Sequence, residues 1–201
     1  MKNILIANPK GGSGKSTLAT NLAGCFAVRG KYVLLQDLDR QQSSASWLER
    51  RTSDVPKIYA NSKHVEKLDW VITDSPAGLR DDKLADAVKV ADYVIVPVQP
   101  SAFDIGATSD FLEVLAAEKN IRKNKTFVAL VGMRVNLRTH SAVKLAAFMQ
   151  EANLPVLAYL RNAQAYVTAA EQGLSIFDMR ASLVAQDVAQ WKHLLQWIGK
   201  N

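Results

Sequence analysis

The sequence predicts a doubly wound, mostly parallel α/β sheet with helices on both faces, in one domain spanning residues 1–201. Three observations carry this. Apolar bursts rich in β-branched residues alternate with longer helical patterns along the whole chain, as strand–helix units do. The bursts are continuously apolar instead of alternating, which suits parallel strands covered on both faces. A glycine cluster at residues 11–14 sits between the first burst and the first helical pattern, where such folds place their sites.

In order, "NILIA" (3–7), "YVLLQD" (32–37), "WVITD" (70–74), "YVIVPV" (93–98), "FVALVG" (127–132) and "PVLAYL" (155–160) read as strands. Helices are expected near 15–29, 79–90, 104–119, 139–151 and 164–172. Gly30 follows the first as a C-cap, and Asp104 and Thr139 are N-cap candidates. Residues 61–69, "NSKHVEKLD", form the most polar run and read as a surface connection. Over 182–198, Val184, Val188, Trp191, Leu194, Leu195 and Ile198 recur at helical spacing. This amphipathic helix reads first as a closing helix packed on the sheet. A membrane-surface helix would want a more basic polar face than Lys192 and Lys200 provide among glutamines.

Composition narrows the function. Residues are 48% apolar and 22% charged, ordinary for a soluble globular domain. No apolar run spans a bilayer and no signal-peptide pattern opens the chain, so a cytoplasmic location is expected. The single Cys25 excludes an internal disulfide and a cysteine-ligated metal within one chain, and His64, His140 and His193 are scattered. Lys and Arg outnumber Asp and Glu by 25 to 19, a net charge of +6. That is either a solubility device or an electrostatic footprint for a polyanion.

The stretch "NPKGGSGKST" (8–17) carries the chemistry. It ends in Gly14-Lys15-Ser16 as a phosphate loop does, between a strand and a helix. Pro9 stands where the first glycine of that motif belongs, and a second lysine, Lys10, follows. Gly11, Gly12, Ser13 and Gly14 let the backbone aim N–H groups at phosphate oxygens, and the helix start adds positive potential. Lys15 is expected on the β- and γ-phosphates, Ser16 on Mg²⁺ and Thr17 on the α-phosphate. Two strand ends supply acids. "VITDSPAG" ends in Asp74, suited to a Mg²⁺-bound water, with Gly78 in a turn beyond it. "LLQDLDRQQ" carries Asp37 and Asp39, two residues apart and on one side of an extended chain. Taken singly, each aspartate could equally be a cap or turn residue.

"KGGSGKST", "DLDRQ" and "DSPAG", in this order, resemble the ParA/MinD family of deviant Walker-A ATPases in its short form. The resemblance implies a P-loop NTPase fold binding ATP and Mg²⁺. It implies a homodimer that sandwiches two ATP molecules, with Lys10 as the signature lysine crossing to the partner's nucleotide. By position, Lys15 matches the phosphate-loop lysine, Ser16 the Mg²⁺ ligand, Asp37 the acid near the metal and Asp74 the Walker-B aspartate. Asp39 matches the residue that orients the attacking water. Arg40 departs from the proline common there. "GMRVN" (132–136) and "LRNAQAY" (160–166) lie where the family approaches the base, with Arg134 and Asn136 as the adenine contacts.

The single cysteine argues against iron–sulfur relatives, and the lack of tyrosine after Tyr166 argues against tyrosine-kinase relatives. The ParA type binds DNA without sequence preference, hydrolyses ATP slowly until an adaptor or ParB-like partner stimulates it, and partitions a cargo on the nucleoid. The MinD type binds membrane through a basic tail, and a dethiobiotin-synthetase-like enzyme is the remaining alternative. Net charge favours DNA, with Arg134, Arg138, Lys144, Arg161, Arg180 and Lys192 as candidate contacts.

Overall fold

Six short apolar runs become strands because each is covered on both faces: β1 (Lys2–Ile6), β2 (Val33–Asp37), β3 (Trp70–Asp74), β4 (Tyr93–Val98), β5 (Phe127–Gly132) and β6 (Val156–Tyr159). They were obtained from a computed structural model, which describes residues 1–63, 65 and 67–200. The strand order is β2-β3-β1-β4-β5-β6, and every pairing among these strands is parallel. The chain runs to one side of β1 for β2 and β3 and to the other side for β4, so the sheet reverses direction at the carboxyl end of β1. Open parallel sheets bind ligands at that point.

Helices cover both faces. On one lie α1 (Lys15–Val28), α2 (Ser43–Glu49), α7 (Gln164–Glu171), α8 (Ala181–Ala189) and α9 (Lys192–Lys200), packed on a core that includes Ile6, Leu22, Phe26, Ile95 and Trp191. On the other lie α3 (Asp81–Val90), α4 (Ala102–Ala117), α5 (Lys119–Arg122) and α6 (His140–Glu151), over Leu5, Val96, Phe111, Leu130 and Leu145. Alternate residues of β1 and β4 therefore feed opposite cores, which is why these strands read as unbroken apolar runs. Helix α1 is buried along most of its length, and Gly24 lets it approach so closely that a Cβ there would lie 2.1 Å from Ser175 Oγ.

Thr139 caps α6, accepting from the Ala142 N–H at 3.3 Å, and Gly30 ends α1 with φ +74°, both as expected. Asp104 is not the cap of α4. Ser101 is, with Asp104 at the third helical position: the Asp104 N–H donates to Ser101 Oγ at 3.1 Å and the Asp104 carboxylate accepts from the same hydroxyl. The Ser101 cap starts the helix earlier than an Asp104 cap would. The single helix expected over 182–198 is two, because the Trp191 N–H closes a tight turn on the Val188 carbonyl and a new helix starts at Lys192. Leu194 and Ile198 of α9 are buried in the core, and the Tyr93 hydroxyl donates to the Ile198 carbonyl at 3.1 Å. The amphipathic pattern is thus spent on packing. No helix among the described residues is long and apolar enough to cross a membrane. Helices α2 and α5 have no counterpart in the sequence reading. In the polar connection 61–69, His64 and Glu66 lie outside the described residues.

Candidate nucleotide site

Strand β1 ends at Ile6, and past the last ladder bond, from the Ala7 N–H to the Ile95 carbonyl at 3.2 Å, the chain is held by a side chain. Asn8 is 1% exposed. Its Nδ2 donates to the Pro97 carbonyl at 2.8 Å and to Thr108 Oγ1 at 2.9 Å, while its Oδ1 accepts from the Lys10 N–H at 2.8 Å. The pairing of β1 with β4 stops at Ile6↔Ile95, so this amide satisfies the carbonyl that the strand no longer can. It also fixes where the glycine loop begins. The loop's far side is tied by Gln99, whose Nε2 donates to the Gly12 carbonyl.

Gly14 is the N-cap of α1 with φ +101°, a conformation that only glycine adopts without strain. It packs against Met133, and a Cβ there would lie 2.8 Å from that side chain. As a glycine it offers no capping side chain, and the first turn of α1 contains no acid. The free N–H groups at this helix start are therefore left for an anion. Lys15 is 7% exposed and its Nζ donates to the Lys10 carbonyl at 3.0 Å. Burial lowers its pKa, and the nearby Asp74 and Asp39 carboxylates oppose that effect.

The three aspartates have different environments. Asp74 is 1% exposed, and neither carboxylate oxygen has a hydrogen-bond partner of normal geometry. Burial, reinforced by the Asp37 charge, pushes its carboxyl up to about 6 against the opposing hydroxyls of Ser16 and Ser44 and the Lys15 charge. Asp37 is well supplied with donors, most of them on one oxygen. Its Oδ1 accepts from the Asp39 N–H at 2.9 Å, and its Oδ2 accepts from the Ser44 N–H and Oγ, both at 2.9 Å, and the Ala45 N–H at 3.0 Å. It anchors the start of α2, as the cap reading of the sequence allowed. The Asp39 carboxylate accepts the Gln41 N–H at 3.0 Å and lines the cleft beside the glycine loop.

That cleft, of about 720 Å³, is lined by Gly11, Gly12, Gly14, Lys15, Ser16 and Thr17 on one side and by Asp39, Arg40 and the 76–79 turn with Gly78 on the other. A second cleft of about 560 Å³ adjoins it through Thr17 and Arg134 and is more apolar, with Met133, Leu160, Ala163, Tyr166 and Val167 in its walls. A charged half and an apolar half joined this way match a phosphate chain and a flat base. Arg134 sits at the junction with φ +53°. Asn136 lines neither cleft; its Oδ1 closes a turn on the Arg138 N–H at 3.1 Å. The 160–166 segment does line the apolar half. Ser13 Oγ is buried without a partner.

Lys10 stands apart. It begins the loop yet does not line its own chain's cleft, and among the described residues its ammonium has no hydrogen-bond or ion-pair partner.

The donor set fits a hard divalent cation. No group of three or more His, Cys, Asp or Glu able to hold a metal occurs among the described residues. Mg²⁺ needs none, since it takes most of its ligands from water and phosphate. The Ser16 hydroxyl and the orphaned Asp74 carboxylate are the groups that would face it. Asn8, Gln99 and Met133 were not singled out from the sequence. Asn8, a polar residue directly after an apolar strand and just before the loop, carried a readable signal; Gln99 and Met133 carried none, since their roles depend on β4 and β5 flanking the loop in space.

The expected DNA contacts do not form one surface. The Arg161 guanidinium is bound to the buried Asp187 at 2.6 and 3.0 Å. Arg134 belongs to the nucleotide clefts, and Lys144 on α6 and Lys192 on α9 lie on opposite faces of the sheet.

The chain is similar to known proteins along nearly its whole length. The chain is 27% identical to the maintenance of carboxysome distribution protein A of Gloeobacter kilaueensis, over 98% of this chain and 94% of that protein. It is 26% identical to the protein ParA of Rhizobium radiobacter, over 78% and 76%. Its fold matches an ATP complex of a Cyanothece McdA variant with a TM-score of 0.77 at 18% identity, covering 100% of this chain and 97% of that one. The CobQ/CobB/MinD/ParA nucleotide-binding-domain model matches residues 4–176, which takes in the loop, all three aspartates and both clefts. The chain belongs to that family, among the ParA/MinD-like positioning ATPases.

Proposed function

We propose that this protein is an ATP-dependent dimerising switch that binds DNA without sequence preference and positions a cargo, releasing it when a partner stimulates hydrolysis. The observation that carries the reading is Lys10, a cation without a side-chain partner among the described residues, which begins the phosphate loop and does not line the cleft beside it. A second copy laid across the carboxyl ends of the strands would receive it.

In this reading the loop N–H groups and the start of α1 hold the triphosphate, and Lys15 exchanges the Lys10 carbonyl for phosphate oxygens. Ser16 and Asp74 would hold Mg²⁺, which would offset the negative charge of the phosphates. Asp39, the least constrained acid in the cleft, orients the attacking water. Arg40, in the same cleft wall, is placed to meet the partner chain or its nucleotide. The apolar cleft takes the adenine, with Arg134 at its mouth. Hydrolysis is slow in the isolated chain, and the ATP-bound dimer resides on the nucleoid within the cytoplasm.

The test is binding to a non-specific duplex with no nucleotide, with ADP, or with a slowly hydrolysed ATP analogue, across a salt series. Salt-sensitive binding that requires the ATP analogue is expected. No binding in any state would refute the DNA-tethered switch.

A further inference from the structure

At the opposite end of the sheet from the nucleotide clefts, the connections into β4 and β5 form a recess of about 370 Å³ lined by Lys89, Lys119, Lys123 and Lys125, with Asp86 and Glu118 the only acids in its wall. Arg122 is exposed on the same short helix, α5. The frame is rigid. Asn120 Nδ2 donates to the Lys89 carbonyl at 2.9 Å, and the Asn120 carbonyl accepts from the Lys125 N–H at 2.9 Å. Thr126 Oγ1 donates to the Ala91 carbonyl at 2.8 Å. The loop between α5 and β5 is thereby clipped to the end of α3. Lysines at the ends of α3 and α4 are in part explained by the helix dipoles. Lys123 is the C-cap of α5, and Lys125 lies in the connection between that cap and β5. None of these five cations has an ion-pair partner among the described residues, whose only salt bridges are Arg51–Asp178 and Arg161–Asp187.

We infer that this recess, built by α5 and the end of α3 at the amino edge of the sheet, is the surface that meets the phosphate backbone of duplex DNA. The inference rests on the DNA reading above and gives it a location. A cluster of cations without ion-pair partners among the described residues is what a phosphate backbone recognises, and the recess has no aromatic side chain to stack a base. A membrane surface fits less well, because Ile121, the one apolar residue of α5, packs inward on the core and the recess itself is lined mainly by lysines, without the apolar face of a membrane-surface helix. A dimer closed over its nucleotide sites keeps both recesses free at its outer ends. Two such recesses on one particle raise the avidity for a DNA mesh, which makes binding depend on nucleotide without any change in the recess itself.

The experiment compares the wild-type chain with the triple exchange Lys119→Gln, Lys123→Gln, Lys125→Gln and with a control triple, Arg138→Gln, Lys144→Gln, Lys192→Gln. Each is titrated with a non-specific duplex in the slowly hydrolysed ATP analogue across a salt series, after checking that it binds a fluorescent ATP analogue like wild type. The α5 triple should bind DNA at least about tenfold more weakly, with a salt slope shallower by about 2.7, at 0.9 per lost phosphate contact. The control should stay near wild type, and the single Lys123→Glu should lower the slope by about 1. If wild type binds DNA and the α5 triple binds equally well, this location is wrong while the DNA switch stands. Loss of binding to anionic vesicles with DNA binding intact would overturn it in favour of a membrane. If wild type binds no DNA in any nucleotide state, both readings fall together.

Discussion

Replacing Asp74 by Asn should stabilise the nucleotide-free protein while removing its function. The carboxyl is buried, lacks hydrogen bonds of normal geometry and is pushed from 3.8 up to about 6. The folded state therefore retains a proton that the unfolded chain releases. Stability from this group is fully present below about pH 4, falls as pH rises through about 6, and is absent above that. At about 1.4 kcal/mol for each pKa step, ionised Asp74 costs the fold about 3 kcal/mol at pH 8. Asparagine carries no charge, but its buried amide lacks partners and returns about 1 kcal/mol of that gain. The net expectation is about 2 kcal/mol of added stability at pH 8, or about 4–8 °C in Tm for a chain of this length. Below pH 4 the order should reverse by about 1 kcal/mol. Urea denaturation of both proteins without nucleotide, from pH 4 to pH 8, measures this. Magnesium and ATP should raise the stability of wild type and not of Asp74→Asn, because the orphaned carboxylate is what the cation needs. A variant no more stable than wild type at pH 8, or a difference that does not change with pH, would refute the reasoning.

Gly14→Ala forces an alanine into φ +101°; a stability loss of about 1–2 kcal/mol is expected, with a larger loss of ATP affinity seen by fluorescent nucleotide titration. Asp39→Ala should leave the fold intact and hold the protein as an ATP-bound dimer, read by light scattering; monomers in saturating ATP would count against its role toward water. Arg51→Ala leaves Asp178, whose side chain is fully buried, without the guanidinium that binds it at 2.9 and 2.8 Å. That exchange should cost about 3–5 kcal/mol in urea denaturation without altering nucleotide affinity in the folded fraction.

Much of this molecule was legible because its sheet is parallel and covered on both faces. Continuous apolar runs located all six strands, and "KGGSGKST" falls between β1 and α1 as the sequence reading expects. What escaped the sequence depends on neighbours that are distant along the chain. Asp37 reads equally well as a metal-site acid or a helix cap, and only the appearance of α2 beside it shows four donors converging on its carboxylate. Asn8 could have been noticed, but its link to Pro97 and Thr108 requires β4 and α4 in place. Arg161 looked like a free surface cation, since nothing in its local sequence indicates the buried Asp187. Helix α5, four residues long, is too short to leave a periodic signal.

The central claim, that one complete site needs two chains, is tested most directly by mixing Lys10→Ala with Lys15→Ala. Each alone should hydrolyse ATP far more slowly than wild type, with Lys10→Ala still binding nucleotide. In a mixed dimer, the Lys10→Ala chain keeps its own Lys15 and receives Lys10 from its partner, so one of the two sites is whole. An equimolar mixture should then recover about one quarter of wild-type turnover, since about half the dimers are mixed and each has one working site of two. A mixture no faster than the sum of its parts, or a Lys10→Ala protein that hydrolyses ATP at the wild-type rate, would contradict it.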